Sequence, residues 1–439
     1  MNHLRRLAAV GVVALVAAGC GDGGGGGTAG GGGDPCTEDE FGCVEIAPGD
    51  PIRLASLLVI TTADAPLGTD SQRAVEMGLD YHPDETFDGT AGELLGHPLE
   101  LQPEDDQCSA DGGQAGATKL ASDPTIVSVV GTSCSSAALG VADRILSDAG
   151  ILLVSPSNTN AFLTSADQHE PFYARTAHSD AVQGAVDAVY AFNELGWETA
   201  VTIHDESVYS DGLATVFAER FTELGGEVLS EEAVASDDTD FRQLLTSIAA
   251  DAPDGIFMPM FIAAGGGITA QASEEAGLAD TELFGADGMT SPDYIEAAGA
   301  EAAESVLLSG PDTSAFESGD FYQNEFVPTY QETYGEKPTA AFHAHSFDAT
   351  GMILQAIEEV AVEGDDGSLQ IPRTALKDAF FAISGYQGIT GELACTELGE
   401  CQTNYTIGVF KVAGGAIPET PEFSLDPAGI AGVFPDLAS

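Results

Sequence analysis

The 439-residue chain carries 13 Lys and Arg against 71 Asp and Glu, a formal net charge of −58. Such a surface repels nucleic acid and anionic lipid headgroups, which excludes both as partners, while the length suffices to bury a sizeable core in two or three domains. Regular apolar segments argue for folding in spite of the charge, and so acidic a surface suits salty solvent, where screening relieves the self-repulsion.

Residues 1–19 read as an export signal: Arg5 and Arg6 precede an apolar run from Leu7 to Ala18 that is too short for a stable span. The run ends Leu15-Val16-Ala17-Ala18-Gly19-Cys20, which resembles a bacterial lipobox with Ala17 in place of the usual Leu, and predicts lipidation of Cys20. Gly21 to Gly33 is nearly all glycine, a flexible tether that would hold a domain about 20 Å from its anchor. No later segment is long and apolar enough to span a membrane. The other six cysteines are Cys36, Cys43, Cys108, Cys134, Cys395 and Cys401. An even number in an exported chain predicts three disulfides, whose pairing spacing alone does not fix. The closeness of Cys36 to Cys43 and of Cys395 to Cys401 favours two small loops, which would leave Cys108 with Cys134. No tight C-x-x-C pair supports zinc.

Ile52 to Ile60 is an apolar, buried strand, followed by a small polar loop over Thr61 to Thr69 and a helix from Asp70 to Tyr81. His97 to Leu101 alternates like a strand, and Gly113 to Ser122 reads as a helix. Thr125 to Val130 is short, β-branched and apolar, a buried parallel strand. Gly131-Thr132-Ser133-Cys134-Ser135-Ser136 follows, then an amphipathic run from Ala137 to Leu146. Strand, small hydroxylated turn and helix predict backbone N–H groups and hydroxyls aimed at an anionic group. Ile151 to Val154 is the next strand and leads into Ser155-Pro156-Ser157-Asn158-Thr159-Asn160.

The same grammar repeats from Asp180. Helices are expected over Asp180 to Leu195, Tyr209 to Leu224, Phe241 to Ala250 and Gly267 to Ala276, and strands over Thr199 to Ile203, Gly255 to Met258 and Glu282 to Phe284. Val306 to Leu308 is a strand where the chain crosses back. Helices over Phe321 to Tyr334, Phe342 to Val362 and Arg373 to Ile383 follow, then a strand ending at Val412. From Ala416 the tail, rich in Pro and Ala, is expected to be loosely ordered. Strands alternating with helices predict an α/β protein of two Rossmann-like lobes with parallel sheets, whose facing strand ends enclose a cleft. The expected organisation is a signal at 1–19; a lipidated Cys, tether and small Cys loop at 20–50; a first lobe of 51–179 plus 311–388; a second of 180–310 plus 389–415; and a tail at 416–439.

The chain resembles the branched-chain amino acid (Leu/Ile/Val) substrate-binding proteins of ABC importers over roughly Pro51 to Val412. The resemblance rests on the order and spacing of Asp105-Asp106-Gln107-Cys108, Gly131 to Ser136, Val154 to Thr159, His204-Asp205-Glu206-Ser207-Val208-Tyr209 and Gly285-Ala286-Asp287-Gly288. It implies the type I periplasmic binding fold, with a three-strand hinge between the lobes. It also implies roles at single positions. Ser135 would bind the ligand carboxylate, with Thr159 as a second polar contact and Ser157 beside it. Tyr209 would close over the ligand from the opposite lobe, Asp287 would pair with the α-ammonium, and Phe261 lies near an aromatic packing position. Leu67 stands where some members carry an aromatic pocket residue. The resemblance supports the Cys108–Cys134 pairing, which would brace the ligand loop.

The function expected is capture of an aliphatic amino acid outside the cytoplasm and its delivery to an ABC permease and its ATPase. The membrane enters only through the lipid anchor; the protein is expected to face the periplasm or cell exterior, to act as a monomer, and to need no cofactor or metal. A sensing receptor or an amide- or urea-binding protein of the same fold is the alternative. Catalysis is disfavoured: Gly131 to Ser136 is not the G-x-S-x-G elbow, and no spacing fixes His204 and Asp205 as partners of Ser135. His343 and His345 diverge at i and i+2 on a helix and do not share a metal.

Overall fold

The computed structural model describes residues 35–437 apart from 83, 403 and 404. The export signal, Cys20 and the glycine tether lie outside the described residues.

Strands β1 (Ile52–Leu58), β2 (His97–Asp105), β3 (Ile126–Gly131), β4 (Leu152–Ser155) and β5 (Tyr173–Arg175) form a parallel sheet in the order β2-β1-β3-β4-β5, with the short strand Glu93–Leu94 antiparallel on the outer edge of β2. The second lobe holds β6 (Thr199–His204), β7 (Glu227–Ala233), β8 (Gly255–Phe257), β9 (Glu282–Gly285) and β10 (Leu307–Pro311), parallel in the order β7-β6-β8-β9-β10. The two lobes therefore repeat one order, in which the chain starts in the middle, steps out, and returns to the other side. Such sheets bind ligands at the carboxyl ends of the strands, beside the point where the order reverses. The chain passes between the lobes after β5, after β10, and again before β11 (Ile407–Lys411), which pairs antiparallel with β10.

Each lobe has its own core. Leu54, Val130 and Val154 of the first sheet pack against Met352, Ile353 and Ile357 of the returning helix His343–Val360. In the second, Val201, Ile256 and Leu308 meet Ile268 and Tyr294. All three disulfides are present: Cys36–Cys43, Cys108–Cys134 and Cys395–Cys401. The first fastens the strand Cys43–Ile46, which pairs antiparallel with Leu369–Pro372 on the first lobe.

Several elements differ from the sequence reading. Helix α1 (Ala65–Tyr81) begins inside the expected polar loop, because Pro66 sits in its first turn, where a fixed φ favours the helix and no N–H is lost. Ala137 to Leu146 is not one helix: Ser135–Ala137 is a single short turn, and the chain leaves helical geometry at Leu139 and Gly140 before resuming at Asp143. The anion-binding expectation then rests on individual N–H groups and hydroxyls rather than on a long helix end. Helix α2 (Ile262–Ala272) starts earlier than expected and runs straight through Gly265, Gly266 and Gly267. A Cβ on these would stand 2.7 Å from Met289, 2.6 Å from Ala297 and 2.9 Å from Phe241, so the glycines let the helix pack closely rather than end it. The tail is not loose. Strand β12 (Phe423–Leu425) pairs with β11, and Ile430 and Phe434 are buried against Val182 and Val186. The hairpin Ser384–Gly388/Gly391–Ala394 carries Leu393 into the first lobe's core, which moves that stretch out of the second lobe expected from residue 389.

Candidate functional site

At the carboxyl end of β3, the loop Gly131 to Ser136 is fixed from several sides. The Asp106 carboxylate accepts the N–H of Ser133 at 2.6 Å and of Cys108 at 2.8 Å. Burial pushes this carboxyl up to about 7 despite those donors. Ser133 Oγ accepts from Val59 N at 3.0 Å. Across the next strand end, Ser155 Oγ donates to the Thr132 carbonyl (2.8 Å), Ser157 Oγ donates to the Ser133 carbonyl (2.9 Å), and Asn160 N donates to Ser135 Oγ (3.3 Å). Ser135 is left with its own O–H to give. Beneath these loops Arg175 is fully buried; its guanidinium pairs with Glu400 and donates to the carbonyls of Asn158 (3.1 Å) and Asn160 (2.8 Å), tying ligand loop to hinge.

The second lobe brings the complementary groups. Tyr209 lies in the first turn of α3 (Val208–Leu224), capped by Ser207. Its hydroxyl donates to Asp287 Oδ1 at 2.8 Å and accepts from Gly288 N at 3.1 Å. Burial and the Asp287 charge drive the phenol pKa upward, which keeps the ring neutral and donating. Gln183 Nε2 also donates to Asp287 Oδ1, at 2.9 Å. Asp287 lines the pocket, and both of these side-chain donors meet it at Oδ1. Position 288 must be glycine: a Cβ there would stand 2.7 Å from the Met260 carbonyl oxygen and 3.1 Å from the Tyr209 ring. Phe261, at the start of α2, packs on Tyr209 with ring centroids 5.2 Å apart.

One pocket between the lobes takes in Ser135, Ser157, Tyr209, Phe261 and Asp287, together with Leu67. Its cavity volume is about 30 Å³, room for about two water molecules. Thr159 is not on this wall. It is buried, its carbonyl accepts Asp180 N at 2.8 Å, and its side chain lies beside the buried Asp180 carboxyl. The lobes touch at the rim, where Val208 N donates to Ser136 Oγ (3.0 Å) and Asn160 Nδ2 donates to the Val208 carbonyl (2.8 Å).

Three groups in or behind the pocket wall were not legible in the sequence. Asp64, just before α1, has its carboxyl pushed up to about 6, first by burial and then by the charge of Asp205 on the facing lobe. Gln183 orients Asp287 from the helix that follows the hinge. Thr290 Oγ1 is buried without a hydrogen-bond partner. None belongs to a local motif; only the folded chain brings them to the cleft. Among the described residues no group of His, Cys, Asp and Glu is arranged to hold a metal ion, and no helix is long and apolar enough to cross a membrane. His343 instead bonds Tyr322 and the Ala340 carbonyl.

The sequence matches the family model described as periplasmic binding protein over residues 51–415. The chain belongs to the periplasmic binding protein family. Over 274 residues it is 28% identical to the leucine-, isoleucine-, valine-, threonine- and alanine-binding protein of Pseudomonas aeruginosa, covering 61% of this chain and 69% of that one. The structure of a leucine binding protein from Thermotoga maritima superposes with a TM-score of 0.74 at 25% identity, covering 86% of this chain and 99% of the other. A branched-chain amino acid transporter substrate binding protein from Streptococcus pneumoniae, in complex with isoleucine, gives 0.72 at 22%, with coverage of 86% and 99%. The fold is thus the type I periplasmic binding fold, with two lobes joined by three crossings.

Proposed function

We propose that this periplasmic binding protein is the solute-binding component of an ABC importer and captures an aliphatic, branched-chain amino acid between its lobes. The observation that carries the reading is the opposition of two kinds of group in one pocket. The Ser135 hydroxyl, with Ser157 beside it, comes from the first lobe and the Asp287 carboxylate, held by Tyr209 and Gln183, from the second. A zwitterion satisfies both: its carboxylate takes the hydroxyl and N–H donors, and its ammonium takes the Asp287 carboxylate. A ligand without an amine would leave that buried carboxylate unpaired, which is costly. Leu67 and Phe261 supply apolar wall for the side chain, and Thr159 acts behind the loop, through Asp180, instead of touching the ligand. The relatives' binding of leucine, isoleucine and valine supports the same assignment.

The pocket is too tight for a leucine to enter as it stands, so entry requires the lobes to part about the hinge and release the Ser136–Val208–Asn160 contacts. Capture then favours the closed form, which the permease reads. The protein performs no chemistry; ATP hydrolysis belongs to the transporter's ATPase. Lipidation of Cys20 and the glycine tether would keep this monomeric protein at the outer face of a membrane.

A thermal-shift screen of the protein against amino acids, urea, short amides and aromatic acids tests the reading. Leucine, isoleucine or valine at about 100 times its dissociation constant should add about 2.7 kcal/mol of stability, and the shift should vanish in Asp287→Ala. A shift with urea, amides or aromatic acids alone would discard the amino acid assignment.

A further inference from the structure

Beside the cleft pocket lies a second, far larger groove, with a cavity volume of about 1130 Å³. The two share a wall of four residues: Thr290, Ser291, Ala340 and Ala341. Ala340 and Ala341 are the smallest side chains of that wall. Thr290 Oγ1, on the same wall, is buried and unpartnered. Asp287 is three residues from Thr290, so the wall begins next to the group assigned to the ammonium. The groove is lined by the rings of Tyr322 and Phe410 and by Glu296, Glu317 and Glu419 against the single cation Lys337. Glu317 and Glu419 repel each other, which together with burial pushes the Glu317 carboxyl above its ordinary value. A lining that combines rings and methyl groups with carboxylates suits a side chain with a methylene stem and a donor-bearing tip.

We infer that the site also takes α-amino acids whose side chains are longer than leucine's and end in a hydrogen-bond donor or a cation, the stem passing Ala340 and Ala341 into the groove. This rests on the amino acid reading of the cleft, since the same Ser135 and Asp287 contacts anchor the head. The wall residues set the length limit: a bulky residue at 341 would stand between the head site and the groove.

The test is isothermal titration of the protein with leucine, citrulline and arginine, repeated on Ala341→Phe and Glu317→Gln. The wild type should bind leucine and at least one of the long ligands. Ala341→Phe should weaken the long ligand about tenfold more than it weakens leucine. Glu317→Gln, on the groove side and away from the head site, should weaken arginine more than citrulline and leave leucine unchanged. Leucine binding with no long ligand, or a long ligand indifferent to both variants, overturns the inference and leaves the amino acid reading standing. Failure of all three ligands overturns both. If Ala341→Phe does not fold, Glu317→Gln alone decides.

Discussion

Asp287 depends on its neighbours for its orientation. Tyr209 and Gln183 both donate to Oδ1 and hold the carboxylate in the pocket wall. Losing Tyr209 O–H would remove one charge-assisted hydrogen bond and the acceptor of Gly288 N, whereas losing the Asp287 charge would remove the ion pair itself. Tyr209→Phe is therefore expected to weaken leucine binding about tenfold and Asp287→Asn about a hundredfold or more, read by isothermal titration. Equal losses would mean that Tyr209 touches the ligand directly; no loss in Asp287→Asn would remove the ammonium contact. The site residues named from sequence, Ser135, Ser157, Tyr209, Phe261 and Asp287, were legible because each sits just past an apolar strand or at the helix start that follows it. Asp64, Gln183 and Arg175 were not. Their roles come from groups between 15 and 225 positions away, such as Asp287 for Gln183 and Asn160 and Glu400 for Arg175, and no local pattern encodes such a distance.

Among elements, the buried strands were the easiest to read, since β1, β3 and β4 are largely apolar runs of the kind that parallel sheets require. Strand β7 was missed. It is an edge strand of Glu227 to Ala233 with three glutamates and little burial, so its hydrogen bonding to β6 leaves no apolar signature. The helix α2 was expected only from Gly267, whereas close packing at Gly265 and Gly266 lets it start at Ile262. The same logic predicts an effect in the helix Ala110–Ala121, whose N-cap Ser109 accepts from Gly112 N. Replacing a helical glycine by alanine ordinarily stabilises by up to about 1 kcal/mol. Gly113→Ala should do the reverse, because its Cβ would lie 2.2 Å from the Ala137 carbonyl oxygen just past the ligand loop. A loss of about 1–3 kcal/mol in urea denaturation is expected, with leucine binding weakened as the loop is pushed; a stabilised variant would refute the packing argument. Paired replacement of Cys108 and Cys134 by serine, which frees the same loop from the other side, should cost about 2–4 kcal/mol.

At the scale of the whole molecule, charge governs stability through two separable routes. One is the mutual repulsion of a surface with 71 acids against 13 bases, which salt screens. The other is local: burial raises the carboxyls of Asp64, Asp143 and Asp348 to about 6 and of Asp106 to about 7, against an ordinary 3.8. An acid whose folded pKa is raised binds its proton more tightly in the folded state. Its contribution is fully present below about 4 and is lost as pH rises through the folded value, here between about 4 and 7. Opposing this, Asp123 and Asp254 are held below the ordinary value by hydrogen bonds from Thr125 and from Thr199 and Glu198, and that stability is lost only as pH falls below about 4. The melting temperature should therefore rise as pH is lowered from about 8 to about 5, and fall again below about 4. Molar salt should lift the curve most at high pH, yet leave a slope, because desolvation of a buried carboxyl is not screened. Asp64 isolates the local route, since its Oδ1 is buried with no hydrogen-bond partner and Asp205 faces it across the cleft. Asp64→Asn should raise stability at about pH 8 by about 1–3 kcal/mol and change little at about pH 4. Calorimetry across that range decides: a melting temperature flat between pH 5 and 8 in molar salt would assign the whole effect to surface repulsion, and an Asp64→Asn gain equal at both pH values would show that the carboxyl is not charged against Asp205 in the closed cleft.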